Sequence, residues 1–363
     1  MACRCIETAD RSLGRGTYPP GSDVLRQPGH SGPPDQGVPP AGWRRRPDHH
    51  DDPPRARDAR GSHEKLLPRG ERGVASASRP RPGGRRYAGG GAMTTTRAGP
   101  FELETLRRGS GRPILIIHGN NPVHPNAPFL DRLAKHGEVI APSHPGFGAS
   151  PPPDDFDTMY DLVNLYLSVL ETLGSDDITV IGFSFGGWIA AELAVANPTN
   201  LARLVLVDPV GIKLGGREER DIVHFFNTDP AELNQRSWHD PARRPAGIYA
   251  LGWQATISDA MTDQEMIALA RNWDSLCLYA WRPHMFNPGL KQWLHRIAMP
   301  AQVIWGESDR IVTPDYGRAY AGLIPGAAFT TIPNAGHHPE LEQPDAFVEA
   351  VARFMDVTKG PRR

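Results

Sequence analysis

Apolar and polar positions alternate in blocks along most of the chain beyond residue 100. Runs that are apolar almost throughout predict strands buried on both faces, at 113–118, 137–142, 178–183, 201–209 and 301–309. A last strand is predicted at 327–333. The segment FELETLRRG (101–109) alternates between polar and apolar residues, which predicts an opening edge strand.

Several segments between these runs have the spacing of amphipathic helices. DTMYDLVNLYLSVLETLG (157–174) places apolar residues three and four apart, with Asp157 as the predicted N-cap and Gly174 as the stop. Helices are also predicted over 128–136, 186–198 and 344–356. Because strands alternate with helices, the pattern predicts the α/β class, with a mostly parallel, doubly wound sheet.

One long interval, from Asp208 to Ala301, contains no buried-strand pattern. Helices are predicted there over 218–227, 263–281 and 290–297. Five of the eight tryptophans lie in this interval: Trp238, Trp253, Trp273, Trp281 and Trp293. We therefore predict a helical cap over 213–298, inserted between two core strands, with the core divided into 93–212 and 299–363.

Residues 1–92 differ from the rest of the chain in composition. They contain no Phe, are rich in Gly, Pro and Arg, and show no apolar stripe. Such a segment cannot bury enough apolar surface to offset the entropy of ordering its backbone. We predict a disordered tail that is not natively translated, with translation starting at Met93. Detection of the longer species by intact mass at the native locus would refute this hypothesis.

Charge and cysteine content exclude several classes of function. The formal net charge is −1, but the basic excess is confined to residues 1–92, so the remainder is acidic and unsuited to nucleic acid. Beyond the tail only Cys277 remains, so we expect no disulfide and no cysteine-rich zinc site. No other motif implies a metal or a cofactor, and we expect neither. No apolar run reaches the roughly 18 residues of a membrane span, and because residues 1–92 lack an apolar h-region we do not expect them to act as a secretory signal. We predict a cytoplasmic protein that acts on a small molecule, and leave homo-oligomerisation open.

A G-x-S-x-G motif joins the predicted strand at 178–183 to the predicted helix that follows. Residues 182–186 read GFSFG, with Ser184 at the centre. In a tight strand-to-helix turn, the flanking glycines avoid collisions with the backbone, and the serine hydroxyl is exposed beside the free N–H groups of a helix N-terminus. The motif therefore predicts a nucleophile next to a site that can stabilise a negative charge.

A serine hydroxyl needs a general base to remove its proton, and the base needs an acid to orient it. The expected chain order is serine, acid, histidine. Asp309 follows a predicted buried strand, and His337 lies in the loop after the last predicted strand. Both loops are expected at the sheet edge where Ser184 lies. Asp208, which also follows a core strand, stays open as an alternative acid.

From about Pro100 to Asp356 the chain resembles the α/β-hydrolase superfamily. The matching segments, in the order of the family, are IIHGNN, HPGFGAS, GFSFGG, WGESDRIVTP and NAGHHPELEQP. The resemblance implies Ser184 as nucleophile, Asp309 as acid and His337 as base. It also implies an oxyanion hole made by the backbone N–H groups of Phe185 and Asn120.

Two further positions are interpreted through this resemblance. His118 is in reach as a second base, but in the family the corresponding His-Gly pair shapes the loop. Ser143 stands where the family usually has an aspartate, which puts a loop-anchoring contact in doubt.

The sequence predicts a serine hydrolase that cleaves a carboxylic ester of a small, mostly apolar substrate through an acyl-enzyme intermediate. A cofactor-free haloperoxidase side activity could use the same residues. One alternative is a C–C bond hydrolase of ring-cleavage products, which needs a cap arginine to bind a carboxylate. The candidates are Arg217, Arg220, Arg271 and Arg282. Another alternative is a ligand receptor on the same fold that does not turn over its ligand.

Overall fold

Eight strands of the described residues pair into a sheet. The structure is a computed structural model and describes residues 92–150, 152–243 and 262–358. The strands are β1 (Ala92–Ala98), β2 (Phe101–Arg108), β3 (Pro113–Ile117), β4 (Glu138–Pro142), β5 (Ile178–Phe183), β6 (Leu201–Val207), β7 (Ala301–Gly306) and β8 (Ala328–Ile332). Their order in the sheet is β1-β2-β4-β3-β5-β6-β7-β8. β2 pairs antiparallel with β1 and β4, and the other pairs are parallel.

Helices cover both faces of this sheet. The helices of the described residues are α1 (Leu130–Leu133), α2 (Met159–Thr172), α3 (Phe185–Val195), α4 (Pro230–Ser237), α5 (Asp263–Ala280), α6 (Leu290–Trp293), α7 (Pro314–Gly322), α8 (Pro339–Glu342) and α9 (Pro344–Val357). α2, α3 and α7 pack on one face, and α1 and α9 pack on the other. The predicted α/β class and doubly wound, mostly parallel sheet are confirmed.

Strand β3 shows how the sequence builds two cores. Successive strand residues point to opposite faces, so Ile114 and Ile116 join the core under α1 and α9. Leu115 and Ile117 join the core under α2 and α3. All four side chains are fully buried, which is why this strand is apolar throughout rather than alternating.

The prediction of 101–109 as the edge strand is wrong. β1 (Ala92–Ala98) pairs with β2 along its whole length and forms the edge. Its sequence, AMTTTRA, has no apolar run, and only Thr96 and Ala98 are buried. Pairing with β2 satisfies the backbone of this polar strand, and sequence patterning alone does not reveal that pairing. Apart from Ala92, the predicted tail lies outside the described residues.

Two helices begin or end differently from the prediction. The N-cap of α2 is Thr158 rather than Asp157, because the Thr158 hydroxyl accepts from the Asp161 N–H while the Asp161 carboxylate accepts from the Thr158 N–H. The helix predicted over 128–136 is reduced to α1 (Leu130–Leu133). Gly174 lies beyond the end of α2 with φ of 60°, a conformation that suits glycine.

The segment between β6 and β7, residues 208–300, is called the β6–β7 insertion below. Its described parts, 208–243 and 262–300, contain α4, α5 and α6. Of the helix predicted over 218–227, only a 3-10 turn at Phe225–Asn227 forms. The rest of that prediction is wrong, because Ile222 forms a bridge with Val312 and the Val223 N–H donates to the Ile311 carbonyl at 3.0 Å. Backbone groups there form hydrogen bonds with the loop after β7 instead of the local hydrogen bonds of a helix. The proposed boundaries of a cap stay a prediction, and Trp253 lies outside the described residues.

None of the described helices has an apolar stretch long enough to cross a lipid bilayer.

Candidate active site

Ser184 lies in the turn that joins β5 to α3. Its backbone has φ of 49° and ψ of −110°, which costs a residue other than glycine about 1–3 kcal/mol. A β-carbon on Gly186 would overlap the carbonyl oxygens of Ile117 and His118, so the turn can pass this close to β3 only with glycine there. The turn directs the Ser184 hydroxyl into a cavity at the carboxyl edge of the sheet.

The structure brings Ser184, His337 and Asp309 into one chain of hydrogen bonds. His337 Nε2 lies 2.8 Å from Ser184 Oγ, and His337 Nδ1 lies 2.7 Å from Asp309 Oδ2. Asp309 Oδ1 accepts from the N–H groups of Ile311 and Val312 at 2.8 and 3.3 Å. Because the carboxylate accepts at both oxygens, the proton of the neutral imidazole lies on Nδ1, and Nε2 is free to accept from the serine hydroxyl.

The loop that contains His337 is held by the end of α4, which is distant in sequence, and by Glu342 of α8. The His337 N–H donates to the Ser237 carbonyl at 2.6 Å. The Glu342 carboxylate accepts from the N–H groups of Gly336 and His239, at 2.6 and 2.9 Å. Burial raises the pKa of Glu342, while these backbone donors act in the opposite direction. Both anchors connect the loop after β8 to the β6–β7 insertion at the end of α4.

The two residues predicted to form the oxyanion hole, Phe185 and Asn120, both lie close to Ser184. Phe185 is the first residue of α3, so its N–H has no acceptor within the helix. Asn120 follows β3 and lines the same cavity as Ser184. The intervening Gly119 lies so near that a β-carbon on it would be 3.6 Å from Ser184 Cβ. The fold therefore brings both predicted oxyanion-hole residues to the turn around Ser184 (residues 182–186), which is called the elbow below.

Asp208 is buried next to the hydrogen-bonded residues Ser184, His337 and Asp309, but it is not the carboxylate that contacts the imidazole of His337. It follows β6, and its Oδ1 accepts from the Gly306 N–H at 2.9 Å. The carboxylate that contacts His337 Nδ1 is that of Asp309. Asp208, Asp309 and His337 offer ligand atoms within 4.8 Å of one another. Since the donors and acceptors of Asp309 and His337 are already matched to each other, we interpret the cluster as a hydrogen-bonded group.

His118 lies at the same edge of the sheet but in a different environment. Its Nε2 accepts from the His144 N–H at 2.9 Å, so its proton lies on Nδ1, which donates to the Gly119 carbonyl at 2.8 Å. The His144 ring contacts the His118 carbonyl at 2.9 Å and the Tyr166 hydroxyl at 2.6 Å. Burial lowers the pKa of His144 to about 3 and that of His118 well below its usual range. Both rings are neutral and fully occupied.

A cavity of about 760 Å³ opens at Ser184. Most of its wall is apolar, including Leu106, Val123, Phe129, Phe183 and Ile267. Of the four candidate arginines only Arg271 is among the described lining residues, and its Nη1 donates to the Gly148 carbonyl at 2.8 Å. Trp238 is the one tryptophan among those lining residues, so Trp273, Trp281 and Trp293 do not form the cavity wall there.

Some residues of the cavity wall were not selected from the sequence. Asn272 of α5 accepts from the Gly148 N–H at 2.9 Å and donates to Asn121 Oδ1 at 3.0 Å, which connects the β6–β7 insertion to the loops after β3 and β4. Asn272 is buried. A polar residue on the buried side of an amphipathic helix is the signal that could have identified it.

Ser143 replaces the aspartate that was expected to anchor the loop after β4. Glu104 of the neighbouring strand β2 anchors that loop instead. Glu104 of β2 accepts from the Ala149 N–H at 3.3 Å, and the Glu104 N–H donates to Ser150 Oγ at 3.2 Å. The Ser143 N–H donates to the Glu104 carbonyl at 2.8 Å. A carboxylate on the neighbouring strand therefore holds this loop, although the residue at 143 is short and uncharged.

Comparisons with known proteins agree with this architecture. A family model described as "Alpha/beta hydrolase family" matches residues 114–350. A 2-hydroxymuconate semialdehyde hydrolase from a Pseudomonas species is 29% identical over 262 residues, which cover 68% of this chain and 88% of that protein. Lipase LipV of Mycobacterium tuberculosis is 32% identical over 229 residues, or 60% of this chain and 76% of the lipase.

Similarity extends to solved structures. That of a thermophilic esterase from Thermogutta terrifontis superposes with a TM-score of 0.56 at 24% identity, covering 74% of this chain and 98% of the esterase. At this identity the likeness supports the fold alone. The family model, however, spans more than half of the chain and includes the elbow and the loops after β7 and β8. This chain belongs to the alpha/beta hydrolase family.

Proposed function

We propose that the protein is a serine hydrolase that cleaves a carboxylic ester of a small, mostly apolar substrate through an acyl-enzyme intermediate. The observation that carries the proposal is the chain of hydrogen bonds from Ser184 Oγ through His337 to Asp309, at 2.8 and 2.7 Å, at the wall of a largely apolar cavity. The ligand-receptor alternative does not need a hydroxyl hydrogen-bonded to a buried base.

In the first half of the reaction, Ser184 Oγ attacks the ester carbonyl carbon while its proton moves to His337 Nε2. The N–H groups of Phe185 and Asn120 stabilise the oxyanion of the tetrahedral intermediate, and each lowers the activation free energy by about 3 kcal/mol. Asp309 keeps the proton on Nδ1 and balances the charge of the imidazolium. His337 then gives the proton to the alcohol oxygen as the carbon–oxygen bond breaks.

Water completes the cycle by the same steps in reverse. His337 Nε2 takes a proton from the water, and the hydroxide attacks the acyl-enzyme carbonyl. Collapse of the second intermediate returns the proton to Ser184 Oγ and releases the acid. This chemistry needs no cofactor, and we propose a small-molecule substrate held by the apolar wall.

Covalent labelling tests the nucleophile directly. A fluorophosphonate probe should label the wild-type protein, and peptide mapping should place the adduct on Ser184. The Ser184→Ala variant should not react, whereas Ser168→Ala, which removes an exposed hydroxyl of α2, should react like the wild type. Hydrolysis rates over p-nitrophenyl esters of increasing chain length then define the acyl preference. An unlabelled, well-folded wild type would favour the receptor.

A second candidate is a C–C bond hydrolase of ring-cleavage products, and one relative is named 2-hydroxymuconate semialdehyde hydrolase. The specific observation that favours it is Arg271, a cation at the cavity wall that could pair with a substrate carboxylate. Its guanidinium is exposed and bonded to the Gly148 carbonyl, so binding an acid would require it to exchange partners.

Parallel assays separate the two reactions. The wild type should hydrolyse a chromogenic ester faster than a dienoic keto acid if the first proposal holds. If the C–C reaction dominates, Arg271→Gln should lower its kcat/KM by about tenfold or more. Arg282→Gln is the matched control, because Arg282 is exposed and is not among the described lining residues. Equal loss in both variants would exclude a specific role for Arg271.

A further inference from the structure

Asp208 has a carboxyl oxygen that the proposed reaction does not use and the surrounding protein does not satisfy. The side chain is completely buried. Oδ1 accepts from the Gly306 N–H at 2.9 Å, but Oδ2 has no hydrogen-bond partner among the described residues. A buried carboxylate oxygen without a donor is costly, whereas a protonated oxygen is itself a donor and needs only an acceptor.

The carboxylate that shares this cluster with Asp208 is that of Asp309. Ligand atoms of Asp208, Asp309 and His337 lie within 4.8 Å of one another. Asp309 receives hydrogen bonds at both oxygens, from two backbone N–H groups and the imidazole. It is therefore an acceptor throughout, and a neighbouring carboxyl can complement it only by donating.

The other groups around Asp208 oppose a second negative charge there. Burial, the Asp309 carboxylate and the more distant Glu340 carboxylate all raise the pKa of Asp208 well above its usual range. The Gly306 N–H acts in the opposite direction, as a single donor. Two adjacent buried carboxyls generally share one proton rather than ionise together.

The backbone holds Asp208 in this place at some cost. Its φ is 43°, which is uncommon for a residue other than glycine. The Asp208 N–H donates to the Ile304 carbonyl at 3.0 Å, so the residue is fixed to β7 by both its backbone and its side chain. The strained conformation points the carboxyl at the loop that contains Asp309.

We propose that Asp208 is a positioning residue that stands as a neutral carboxylic acid and directs its O–H toward the carboxylate of Asp309. This role rests on the proposed function, in which Asp309 orients His337. A neutral Asp208 leaves a single negative charge beside the imidazole and limits the orientations that the Asp309 carboxylate can adopt. Asp208 thereby acts on the reaction through Asp309, without contacting substrate.

Two substitutions test the role by their different chemistry. Asp208→Asn keeps the shape, the acceptor for Gly306 and a neutral donor toward Asp309, so kcat/KM for a p-nitrophenyl ester should stay close to the wild-type value. Asp208→Ala removes the donor, and the resulting misplacement of Asp309 should lower kcat by about 10- to 100-fold with KM little changed. Equal activity of the two variants would overturn the positioning role.

The pH profile distinguishes a neutral from an ionised Asp208. If Asp208 is neutral, Asp208→Asn changes no charge, and the midpoint of the acidic limb of kcat/KM should not move. If Asp208 were ionised, the substitution would remove a negative charge near His337 and shift that midpoint to lower pH by about one unit. Such a shift would refute the proposal. This comparison does not depend on whether Asp208→Ala folds.

Infrared spectroscopy tests the proton without any assay of activity. With 13C-labelled aspartate, the wild type should show the C=O stretch of a protonated carboxyl at neutral pH, and Asp208→Asn should lack it. The absence of that band from the wild type would overturn the proposal even if the enzyme hydrolyses esters. Conversely, a wild type that shows the band but does not react with fluorophosphonate would refute the proposed function alone.

Discussion

Two buried histidine sites among the described residues, His337 with Asp309 and His118 with His144, differ in what their ring nitrogens contact. His337 is 3% exposed and His118 is 2% exposed, so burial does not distinguish them. His337 has a carboxylate on one nitrogen and the Ser184 hydroxyl on the other. The nitrogens of His118 contact only the backbone groups of Gly119 and His144.

This difference separates a candidate base from a structural residue. A carboxylate can stabilise the imidazolium that forms when a base takes a proton. A backbone N–H that donates to Nε2, as at His118, would be repelled by a proton there, and Nδ1 of His118 faces a backbone carbonyl rather than a carboxylate. Two equally buried histidines at the same edge of the sheet therefore serve different purposes.

The largest effect is expected from His337. We predict that His337→Gln lowers kcat by about 10⁵- to 10⁶-fold, because the hydroxyl loses its only base. Ser184→Ala should lower kcat by a similar factor, and the double variant should be no worse than either, since the two side chains act as one unit. Steady-state ester hydrolysis measures all three. Retention of more than a few per cent of the activity in His337→Gln would contradict its assignment as base.

The next largest effect is expected from Asp309, whose carboxylate contacts Nδ1 of His337. Asp309→Asn should lower kcat by about 10³- to 10⁴-fold, because an amide N–H facing Nδ1 favours the wrong tautomer of His337. The fold should be retained, since the Asn oxygen can still accept from the Ile311 N–H. Circular dichroism controls for folding, and fluorophosphonate labelling should slow in parallel with kcat. Undiminished labelling would mean that Asp309 does not orient the base.

A smaller effect, on stability rather than on turnover, is expected at the other site. His144→Leu leaves the His118 carbonyl and the Tyr166 hydroxyl without their buried partner. We predict a loss of about 1–3 kcal/mol in the free energy of unfolding, with kcat/KM of the folded fraction changed far less than by His337→Gln. Urea unfolding provides the measurement, and His136→Leu, at an exposed position, is the matched control. Equal stability of the two variants would argue against a structural role for His144.

The effect that depends most on conditions, and that vanishes at neutral pH, is a dependence of stability on pH. The folded-state pKa of His144, about 3, lies below its unfolded value of roughly 6.5. Its contribution is therefore complete above pH 6.5 and is lost as the pH falls from 6.5 toward 3, by up to about 1.4 kcal/mol per pH unit. Between these limits the unfolding free energy of the wild type should fall more steeply with acid than that of His144→Leu. Parallel curves would show that His144 does not remain neutral in the folded protein.

Much of the fold and of the candidate site was predictable because the relevant signals are local. The strands β3, β5, β6 and β7 are buried on both faces, so each is apolar almost throughout and can be recognised from its own few residues. The elbow around Ser184 is a short-range steric requirement, visible as two glycines around a serine. His337 and Asp309 follow strands of a parallel sheet, so their placement at one edge follows from the topology of the class.

Features that depend on one particular hydrogen-bond partner were not accessible in the same way. β1 is a strand because it pairs with β2, and residues 218–224 are not helical because Ile222 bridges to the loop after β7. Thr158 rather than Asp157 caps α2, because only its hydroxyl faces the Asp161 N–H. In each case a hydrogen bond to a particular partner outweighed the local propensity.

The sequence by itself determined the order of strands and helices, the elbow at Ser184 and the identity of the side chains expected near it, because periodicity and steric constraints act over a few residues. Only the tertiary structure decided which histidine faces a carboxylate, that Asp208 is buried beside Asp309, and that Asn272 and Arg271 reach the cavity. The physical reason is that charge, burial and hydrogen bonding are properties of a side chain's surroundings, and those surroundings are assembled from segments far apart in the chain.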